Sequence, residues 1–291
     1  MSPTRLAIGT VQFGTNYGIS NDQGQVSQLE QKAILNFASE VGIDMLDTAI
    51  NYGDSESNLG NYGVNNFKLI TKIPPIPDNL TNVTKWIQAQ VKSSMGRLGL
   101  TSLYGLLLHR SDHLLKYKGD VADCLADLKS SGLIKKTGVS IYSPNELDSI
   151  VGIIPIDIVQ VPISIIDQRM QTTGWLDKLK SKKIEVHARS IFLQGLLLMP
   201  KAKIPKKFLS WNNIWNDWYD WQNDNPNYSP LETCLGFVNS LKNIDRIIIG
   251  VNSYNQIKEI IDAKKILKHI EYPKISCNDE RLLYPSKWSS L

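Results

Sequence analysis

The chain has 291 residues, of which 42% are hydrophobic and 21% are charged, and its formal net charge at pH 7 is +4. These values are ordinary for a globular protein, and the length suits one large domain or two small ones. The small net charge, with no basic stripe interleaved with aromatic residues, argues against nucleic-acid binding, and no apolar run approaches the roughly 18 residues that a membrane-spanning helix needs.

Three cysteines lie far apart in the sequence, at Cys124, Cys234 and Cys277. None belongs to a CxxC pair or to a cysteine–histidine spacing, so the sequence favours neither a zinc site nor a disulfide framework. No charged-then-apolar leader precedes the first predicted strand at 5–9. We therefore expect a cytoplasmic protein without a bound metal.

Hydrophobic periodicity divides the chain into strands and helices that alternate eight times. The predicted strands are 5–9, 43–46, 67–71, 103–108, 134–139, 156–161, 184–188 and 246–249. The predicted helices are 28–41, 55–62, 82–98, 121–131, 144–151, 175–181, 231–241 and 254–267. The first helix begins after Ser27, with Glu30 placed to complete a capping box, and Gly42 ends it.

Strands that alternate with helices indicate parallel pairing through right-handed crossovers. Eight such units close most naturally into a (β/α)8 TIM barrel, a fold that uses about 250 residues and carries its active sites at the C-terminal ends of the strands. We expect one domain over residues 1–291, with a tryptophan-rich insertion at about 198–228 and a C-terminal tail at about 271–291.

Chemically active side chains follow three successive predicted strands. Asp47 and Tyr52 follow the second strand, Lys72 the third and His109 the fourth. Each has an ordinary structural reading by itself: a turn cap, a packed aromatic ring, a lysine reaching for solvent and a hydrogen-bonded structural histidine. The four together, at neighbouring strand ends, favour a catalytic reading.

These side chains and their neighbours resemble the catalytic Asp-Tyr-Lys-His set of the aldo-keto reductases. The matching segments are Asp47-Thr48-Ala49 with Tyr52-Gly53, then Lys72, then Leu107-Leu108-His109. Order, strand-end context and spacing all match, and the likeness runs from Gly9 to Gly250 and the helix after it. The resemblance implies reversible reduction of an aldehyde or ketone to an alcohol by hydride from NAD(P)H.

In that reading Tyr52 donates the proton to the substrate oxygen. A free phenol has a pKa near 10, and we expect the Lys72 ammonium to lower the pKa of Tyr52. Asp47 would hold Lys72 as its ion-pair partner, and His109 would orient the substrate oxygen by a hydrogen bond. The remaining histidines, His113, His187 and His269, are expected to be structural or surface groups.

The resemblance also implies cofactor contacts, which begin where Gly9, Thr10 and Val11 pass the nicotinamide. Ser140 and Gln160 would hold the carboxamide, although Ile141 stands where the family often has asparagine. Further matching positions are Arg189 and Ser190 after strand seven, and Gly195 in the loop past the pyrophosphate. Arg189 replaces a stacking tyrosine, and it could stack by its planar guanidinium, pair with the pyrophosphate or form an ordinary salt bridge.

The end of strand eight lacks the basic residues that often surround the 2′-phosphate of NADPH. Gly250, Asn252, Ser253 and Gln256 occupy those positions, and none is cationic. Neutral donors and a helix N-terminus still bind phosphate, so we expect NADP(H) as the cofactor with weak discrimination against NAD(H). Glu259 matches the glutamate that meets the adenine amine.

Two segments have no counterpart in the catalytic pattern. Trp211, Trp215, Trp218 and Trp221 form an aromatic stripe at helical spacing, which would either line a substrate pocket or pack on the barrel rim or a second subunit. Few residues precede strand one, so the hairpin that plugs the barrel bottom in many relatives is absent or replaced, with the tail 271–291 as one candidate.

Three functional classes stay open at this stage. The leading one is a reductase of a small aldehyde or ketone, for which a sugar-derived compound is one candidate, acting as a monomer or weak homo-oligomer. The second is a non-enzymatic nicotinamide-nucleotide-binding regulatory subunit on the same barrel, which an intact catalytic set disfavours. The third is a (β/α)8 lyase or isomerase that uses no nicotinamide.

Overall fold

In the computed structural model, which describes residues 4–152, 154–266 and 270–291, parallel strands close into a barrel in the order β1 to β8. The strands are β1 (Leu6–Gly9), β2 (Met45–Asp47), β3 (Lys68–Ile73), β4 (Leu103–Leu108), β5 (Ile134–Ser140), β6 (Ile158–Pro162), β7 (Glu185–Arg189) and β8 (Arg246–Gly250). Every neighbouring pair is parallel, and β1 pairs with β8 to complete the ring. The predicted (β/α)8 fold is confirmed.

Helices surround this ring. They are α1 (Val11–Gly14), α2 (Gln28–Glu40), α3 (Ser55–Tyr62), α4 (Val83–Leu98), α5 (Asp112–Lys116), α6 (Lys118–Ser130), α7 (Asn145–Ile150), α8 (Arg169–Thr172), α9 (Trp175–Ser181), α10 (Asn212–Asp224), α11 (Pro230–Ser240), α12 (Tyr254–Ile266) and α13 (Glu280–Leu283). The bounds of α3 and α9 are as predicted. The short α1, α5 and α8 lie in predicted loops or linking segments, because four or five residues cannot show a helical period. The predicted end of α12 at 267 and the histidine at 269 lie outside the described residues.

The start of α2 differs from the predicted capping box. The Ser27 side chain accepts a hydrogen bond from the Glu30 backbone N–H, as expected. The Glu30 carboxylate turns to another helix, where its Oε2 accepts from the backbone N–H of Tyr254 at 2.7 Å. The start of α2 is therefore linked to the start of α12, which follows β8.

The barrel floor is closed by ionic side chains at the N-terminal ends of the strands. Asp44 pairs with Lys68 and Arg246, each at 2.7 Å. Glu185 pairs with Lys136 and accepts a hydrogen bond from the Tyr104 hydroxyl at 3.1 Å. The ammonium of Lys68 lies 5.7 Å from the Tyr104 ring centroid, which connects the two groups of charges.

The C-terminal tail lies at the opposite end of the barrel, so the idea that it plugs the bottom is wrong. The Cys277 backbone N–H donates to the Ile166 carbonyl at 2.7 Å, and Gln168 donates to the Ile275 carbonyl at 3.0 Å. Ile166 and Gln168 follow β6, at the carboxyl end of the strands. The tail therefore packs beside the face where (β/α)8 enzymes carry their sites.

The tryptophan stripe is buried against the protein. Trp215 and Trp218 are 2% and 0% exposed, and the Trp215 indole donates to the Phe208 carbonyl at 2.7 Å. Trp211 also belongs to the main core, and Trp221 stacks on Trp218 with ring centroids 6.2 Å apart. These contacts support packing on the barrel, and none of the four side chains lines the central cavity described below.

The next two findings, on membrane-spanning helices and on metal-binding clusters, apply only to the residues that the structure describes. Its helices are too short or too polar to cross a bilayer. Its histidine, cysteine and acidic side chains form no group of three or more that could hold a metal ion. Cys124, Cys234 and Cys277 are all buried and unpaired with one another.

Candidate active site

Parallel register brings the four predicted catalytic residues together at the carboxyl end of the barrel. Asp47 is the last residue of β2, Lys72 lies one residue before the end of β3, and His109 directly follows β4. Asp47 pairs in register with Ile70, two residues before Lys72. The side chains of alternate residues on a strand share a face, so both charged groups point into the barrel.

Asp47 and Lys72 form a buried ion pair. Their Oδ2 and Nζ atoms are 2.7 Å apart, and the side chains are 6% and 1% exposed. Lys72 also donates to the Thr48 carbonyl at 2.8 Å, and Gln160 donates through Nε2 to Asp47 Oδ1 at 2.7 Å. Both charges are thus fully engaged, which a buried ion pair requires to be tolerated.

Tyr52 and His109 sit above this pair. Lys72 Nζ lies 5.1 Å from the centroid of the Tyr52 ring. The rings of Tyr52 and His109 meet edge to face, with centroids 5.8 Å apart and planes at 76°. The predicted convergence of a phenol, an ammonium and an imidazole is therefore present, with the ammonium against the ring of the phenol.

The ionisation of Tyr52 differs from the sequence-based expectation. Its pKa is raised, because burial disfavours the phenolate and the Asp47 carboxylate repels it, while the Arg189 cation acts in the opposite direction. The ammonium of Lys72 faces the ring and is neutralised by Asp47, so the expected lowering is not seen. Tyr52 is consequently a fully protonated donor at neutral pH.

His109 is held neutral. Its pKa is lowered to about 3, chiefly by burial and further by the cations Lys72 and Arg189. Burial also lowers the pKa of Lys72, against the opposing charge of Asp47. At neutral pH the imidazole can donate or accept one hydrogen bond, but it cannot act as the acid. Of the two groups that still carry a proton to give, Tyr52 reaches the cavity described next, whereas the Lys72 ammonium is engaged by Asp47 and the Thr48 carbonyl.

A cavity of about 460 Å³ opens beside these residues, within the usual range for ligand sites. Tyr52, His109 and Asp47 form part of its wall, while Lys72 lies behind them. Of the residues predicted to contact a cofactor, those on the wall are Gly9, Thr10, Val11, Ser140, Gln160, Arg189, Ser190, Gly195, Gly250, Asn252, Gln256 and Glu259. Ser253 is not on the wall, and its hydroxyl accepts from the Gln256 backbone N–H at 3.3 Å.

The nicotinamide cofactor implied by the resemblance fits this cavity. Three buried polar atoms of wall residues have no hydrogen-bond partner among the described atoms: Gln12 Oε1, His109 Nδ1 and Asn252 Oδ1. Buried polar atoms are normally partnered, so a bound molecule with amide and hydroxyl groups would satisfy them. Gly250 keeps the wall open, since a Cβ there would lie 2.5 Å from Gln12 Nε2.

Arg189 is fixed on the wall by neutral groups. Its guanidinium donates to the Ile141 carbonyl at 2.8 Å and to the Ser190 hydroxyl at 3.2 Å. The guanidinium carbon lies 4.6 Å from the centroid of the Tyr142 ring. Within residues 4–152, 154–266 and 270–291 no carboxylate pairs with it, so the ordinary salt bridge considered from the sequence is not found.

Loops after β1 and β7 meet across the cavity, a contact that the sequence did not predict. Gln194 donates to the Tyr17 hydroxyl at 2.9 Å, and the Ser20 hydroxyl donates to the Gln194 carbonyl at 3.3 Å. Gln194 and its neighbours Ser190 and Leu193 have positive φ angles, a strained backbone that tends to occur at ligand sites. Positions 17 and 194 meet only through the tertiary fold, so the local sequence pattern around either residue does not predict their contact.

A second recess adjoins the cavity on the side of β4 and β5. His109, Ser140 and Tyr142 line both spaces. Apolar atoms form the larger share of its surface, although all but one of the other residues around it have polar or charged side chains: Asn51, Pro75, Arg110, Ser111, Asp112, Glu146 and Ser286. Arg110 is paired with Asp112 at 2.6 Å, so its charge is already balanced.

The model of the aldo/keto reductase family matches residues 5–273 of this chain. Among named relatives, L-glyceraldehyde 3-phosphate reductase of Escherichia coli K12 is 29% identical over 201 residues, which span 62% of this chain and 58% of that enzyme. The uncharacterized oxidoreductase YqkF of Bacillus subtilis is 26% identical over 253 residues, or 79% of this chain and 81% of that protein.

Solved structures show the same fold. The holo form of aldo-keto reductase AKR11C1 from Bacillus halodurans superposes with a TM-score of 0.72 at 18% identity, covering 91% of this chain and 88% of that one. A putative aldo-keto reductase from Pseudomonas aeruginosa gives a TM-score of 0.66 at 18% identity, with 90% of each chain covered.

Proposed function

The chain belongs to the aldo/keto reductase family, and on that premise we propose that it reduces a small aldehyde or ketone to an alcohol with hydride from NAD(P)H. The observation that carries the proposal is the convergence of Tyr52 and His109 on one cavity above the buried Lys72–Asp47 pair. The cofactor supplies the hydride when bound, and the protein supplies the proton.

Tyr52 is the proton donor in this proposal. The Tyr52 hydroxyl donates its proton to the carbonyl oxygen as negative charge develops there, and the neutral His109 positions that oxygen with a hydrogen bond. Loss of the proton leaves a phenolate, which the Arg189 cation stabilises. The Lys72 ammonium lies against the Tyr52 ring, where it positions the phenol. Asp47 and the Thr48 carbonyl hold Lys72 in place for this task.

The nicotinamide end of the cofactor would be held by Gly9, Thr10 and Val11. Ser140 and the free side-chain carbonyl oxygen of Gln160 would hold it as well. Gly195 and Ser190 would border the pyrophosphate, and Glu259 the adenine. At the adenine end, the wall offers the Asn252 and Gln256 side chains without a cation, while the Tyr254 backbone N–H at the start of α12 is already bonded to the Glu30 carboxylate. We therefore propose NADP(H) as the preferred cofactor, with a modest preference over NAD(H) that a tryptophan fluorescence titration with both would measure.

The polar side chains of the recess support a sugar-derived substrate. Its hydroxyl, amide and carboxylate groups suit a polyhydroxylated carbonyl compound, and the tail contributes Ser286 to its wall. The related E. coli enzyme is named for a phosphorylated triose, but here Arg110 is committed to Asp112. We therefore propose that an unphosphorylated compound is preferred, and a higher kcat/KM for glyceraldehyde 3-phosphate than for glyceraldehyde would contradict this. Equal kcat/KM for glyceraldehyde and an apolar aldehyde would contradict the sugar-derived substrate.

Replacing Tyr52 with Phe tests the function directly. The variant should bind NADPH with unchanged affinity and lose several orders of magnitude in turnover, because only the proton donor is removed. Normal turnover in Tyr52→Phe would contradict the mechanism. Cofactor binding by the wild-type protein without turnover of any carbonyl compound would favour the regulatory alternative.

The three buried, unpaired cysteines support a reducing location, and we propose that the protein works in the cytoplasm. Its partner in this reading is a small-molecule carbonyl substrate.

A further inference from the structure

Arg189 carries the only cationic side chain on the cavity wall among the residues that the structure describes. It is the last residue of β7, and alternation along the strand places it on the same face as Glu185 and His187, inside the barrel. The other cation near the site, Lys72, lies behind the wall and is paired with Asp47. Arg189 thus adds an uncompensated positive charge to the cavity.

That charge is held in a fixed position. Contacts with the Ile141 carbonyl, the Ser190 hydroxyl and the Tyr142 ring engage the guanidinium on three sides, and all three partners are neutral. Its field reaches the reacting groups, since it contributes to lowering the pKa of Lys72 and His109 and opposes the rise at Tyr52. A fixed cation in a partly buried site acts more strongly than the same charge in water.

Hydride transfer confines the position of the nicotinamide ring. The ring must reach the carbon whose oxygen is protonated by Tyr52, so it lies in the part of the cavity that Tyr52, His109 and Arg189 share. The reduced ring is neutral and the oxidised ring carries a positive charge. A fixed cation nearby therefore acts differently on the two forms.

We propose that Arg189 makes the site select the reduced nicotinamide over the oxidised one by charge repulsion. This inference rests on the proposed function and goes beyond it, because it assigns a direction to a reversible reaction. In a mixed pool of cofactor the site fills with the reduced form, and the oxidised product leaves readily. The site is then loaded for carbonyl reduction in such a pool, whereas oxidation of an alcohol starts from a sparsely populated complex with the oxidised cofactor.

A role of Arg189 as a phosphate contact makes a different prediction. The pyrophosphate is identical in both oxidation states, so loss of a phosphate contact would weaken both forms by the same factor. Charge repulsion acts on the oxidised form alone. The ratio of the two dissociation constants therefore separates the two roles, and it needs no catalytic turnover.

Isothermal titration calorimetry with NADPH and NADP⁺ tests the proposal on the wild-type protein, Arg189→Gln and Arg189→Lys. We expect the wild type to bind NADPH at least about tenfold more tightly, or ~1.4 kcal/mol. Arg189→Gln should bring the two affinities within about twofold, mainly by tightening NADP⁺, and Arg189→Lys should keep most of the difference. Arg281→Gln, which removes an exposed arginine of the tail, should leave the ratio unchanged.

An unchanged ratio in Arg189→Gln, or an equal loss of both affinities, would overturn the proposal while leaving the reductase function intact. A wild-type protein that binds neither cofactor would refute the proposed function, and this inference with it. Retained folding of Arg189→Gln is checked by circular dichroism, and the charge-conserving Arg189→Lys decides the question if that variant misfolds.

Discussion

Gln160 donates a hydrogen bond to Asp47 Oδ1 at 2.7 Å, which joins β6 to β2 across the inside of the barrel. Lys72 occupies the other carboxylate oxygen at the same distance. The residue matched to a cofactor contact therefore also fixes the carboxylate that holds the catalytic lysine. The proposed cofactor site and the proposed proton-donating site are thereby connected through one side chain.

Replacing Gln160 with Met should consequently affect both stability and catalysis. The change keeps the side-chain volume but removes a buried donor to a charged acceptor, so we expect a loss of roughly 1.5–3 kcal/mol in the free energy of unfolding. Turnover should fall as well, because Asp47 and Lys72 lose a restraint. Urea denaturation and steady-state kinetics measure the two effects, with the exposed Gln171→Met as control. Equal behaviour of the two variants would contradict this role.

The Asp47–Lys72 pair makes a second prediction about stability. Lys72→Met strands a buried carboxylate, which typically costs about 3–5 kcal/mol. Adding Asp47→Asn to Lys72→Met removes the stranded charge, so the double variant should be more stable than Lys72→Met alone. Urea denaturation of the wild type, both single variants and the double variant gives the coupling energy. Additive losses would show that the two residues do not depend on each other.

Local sequence pattern was sufficient for the eight strands and the longer helices between them, and for the convergence of the candidate residues at the strand ends. Strand periodicity and strict alternation with helices determine a parallel barrel, and a parallel barrel collects strand ends at one face. Asp47, Lys72 and His109 therefore converge without any knowledge of tertiary contacts. The bounds of α3 and α9 are as predicted, because Gly63 and the turn after Ser181 end those helices locally.

Contacts between distant segments could not be predicted in the same way. The hydrogen bond from Gln160 to Asp47, the meeting of Tyr17 with Gln194 and the position of the tail all depend on how the closed ring places loops around its rim. The raised pKa of Tyr52 also depends on burial and on the direction from which Lys72 approaches the ring. Neither quantity is encoded in a short stretch of sequence.

The lowered pKa of His109 predicts a loss of stability in acid. The unfolded histidine titrates near pH 6.5 and the folded one near about 3, so below about pH 6.5 the unfolded chain binds a proton that the native protein does not. The free energy of unfolding should therefore fall by about 1.4 kcal/mol per pH unit from this residue as the pH drops from about 6 toward 4. The contribution of the neutral His109 to the free energy of unfolding is fully present above pH 6.5.

Urea denaturation at pH 7 and pH 5 checks this behaviour in the wild type and in His109→Gln. The variant should lose less stability between the two pH values, because glutamine does not titrate. The same argument predicts that the rate of carbonyl reduction shows no step near pH 6.5, since the imidazole stays neutral throughout. A pH step at 6.5 that disappears in His109→Gln would contradict the assignment of a neutral histidine.

The C-terminal tail is anchored beside the substrate recess by an aromatic contact. The Trp288 ring meets Phe208 edge to face with centroids 4.9 Å apart, and its indole donates to the Leu282 carbonyl at 2.9 Å. Earlier in the tail, Tyr284 packs on Tyr142 with ring centroids 5.1 Å apart, and Tyr142 lies between this tail contact and Arg189. The tail therefore supports the wall that separates the recess from the cavity.

Trp288→Ala should release this support. The ring is 4% exposed, so its removal should lower the free energy of unfolding by about 3–5 kcal/mol. Because Ser286 and the neighbouring wall shift with the tail, we expect KM for a polar carbonyl substrate to rise several-fold, while the NADPH dissociation constant changes by less than about twofold. Lys274→Ala, which truncates an exposed lysine of the same tail, should have little effect on either quantity. A fall in cofactor affinity as large as the rise in KM would mean that the tail stabilises the whole carboxyl face of the barrel and does not act on the substrate recess.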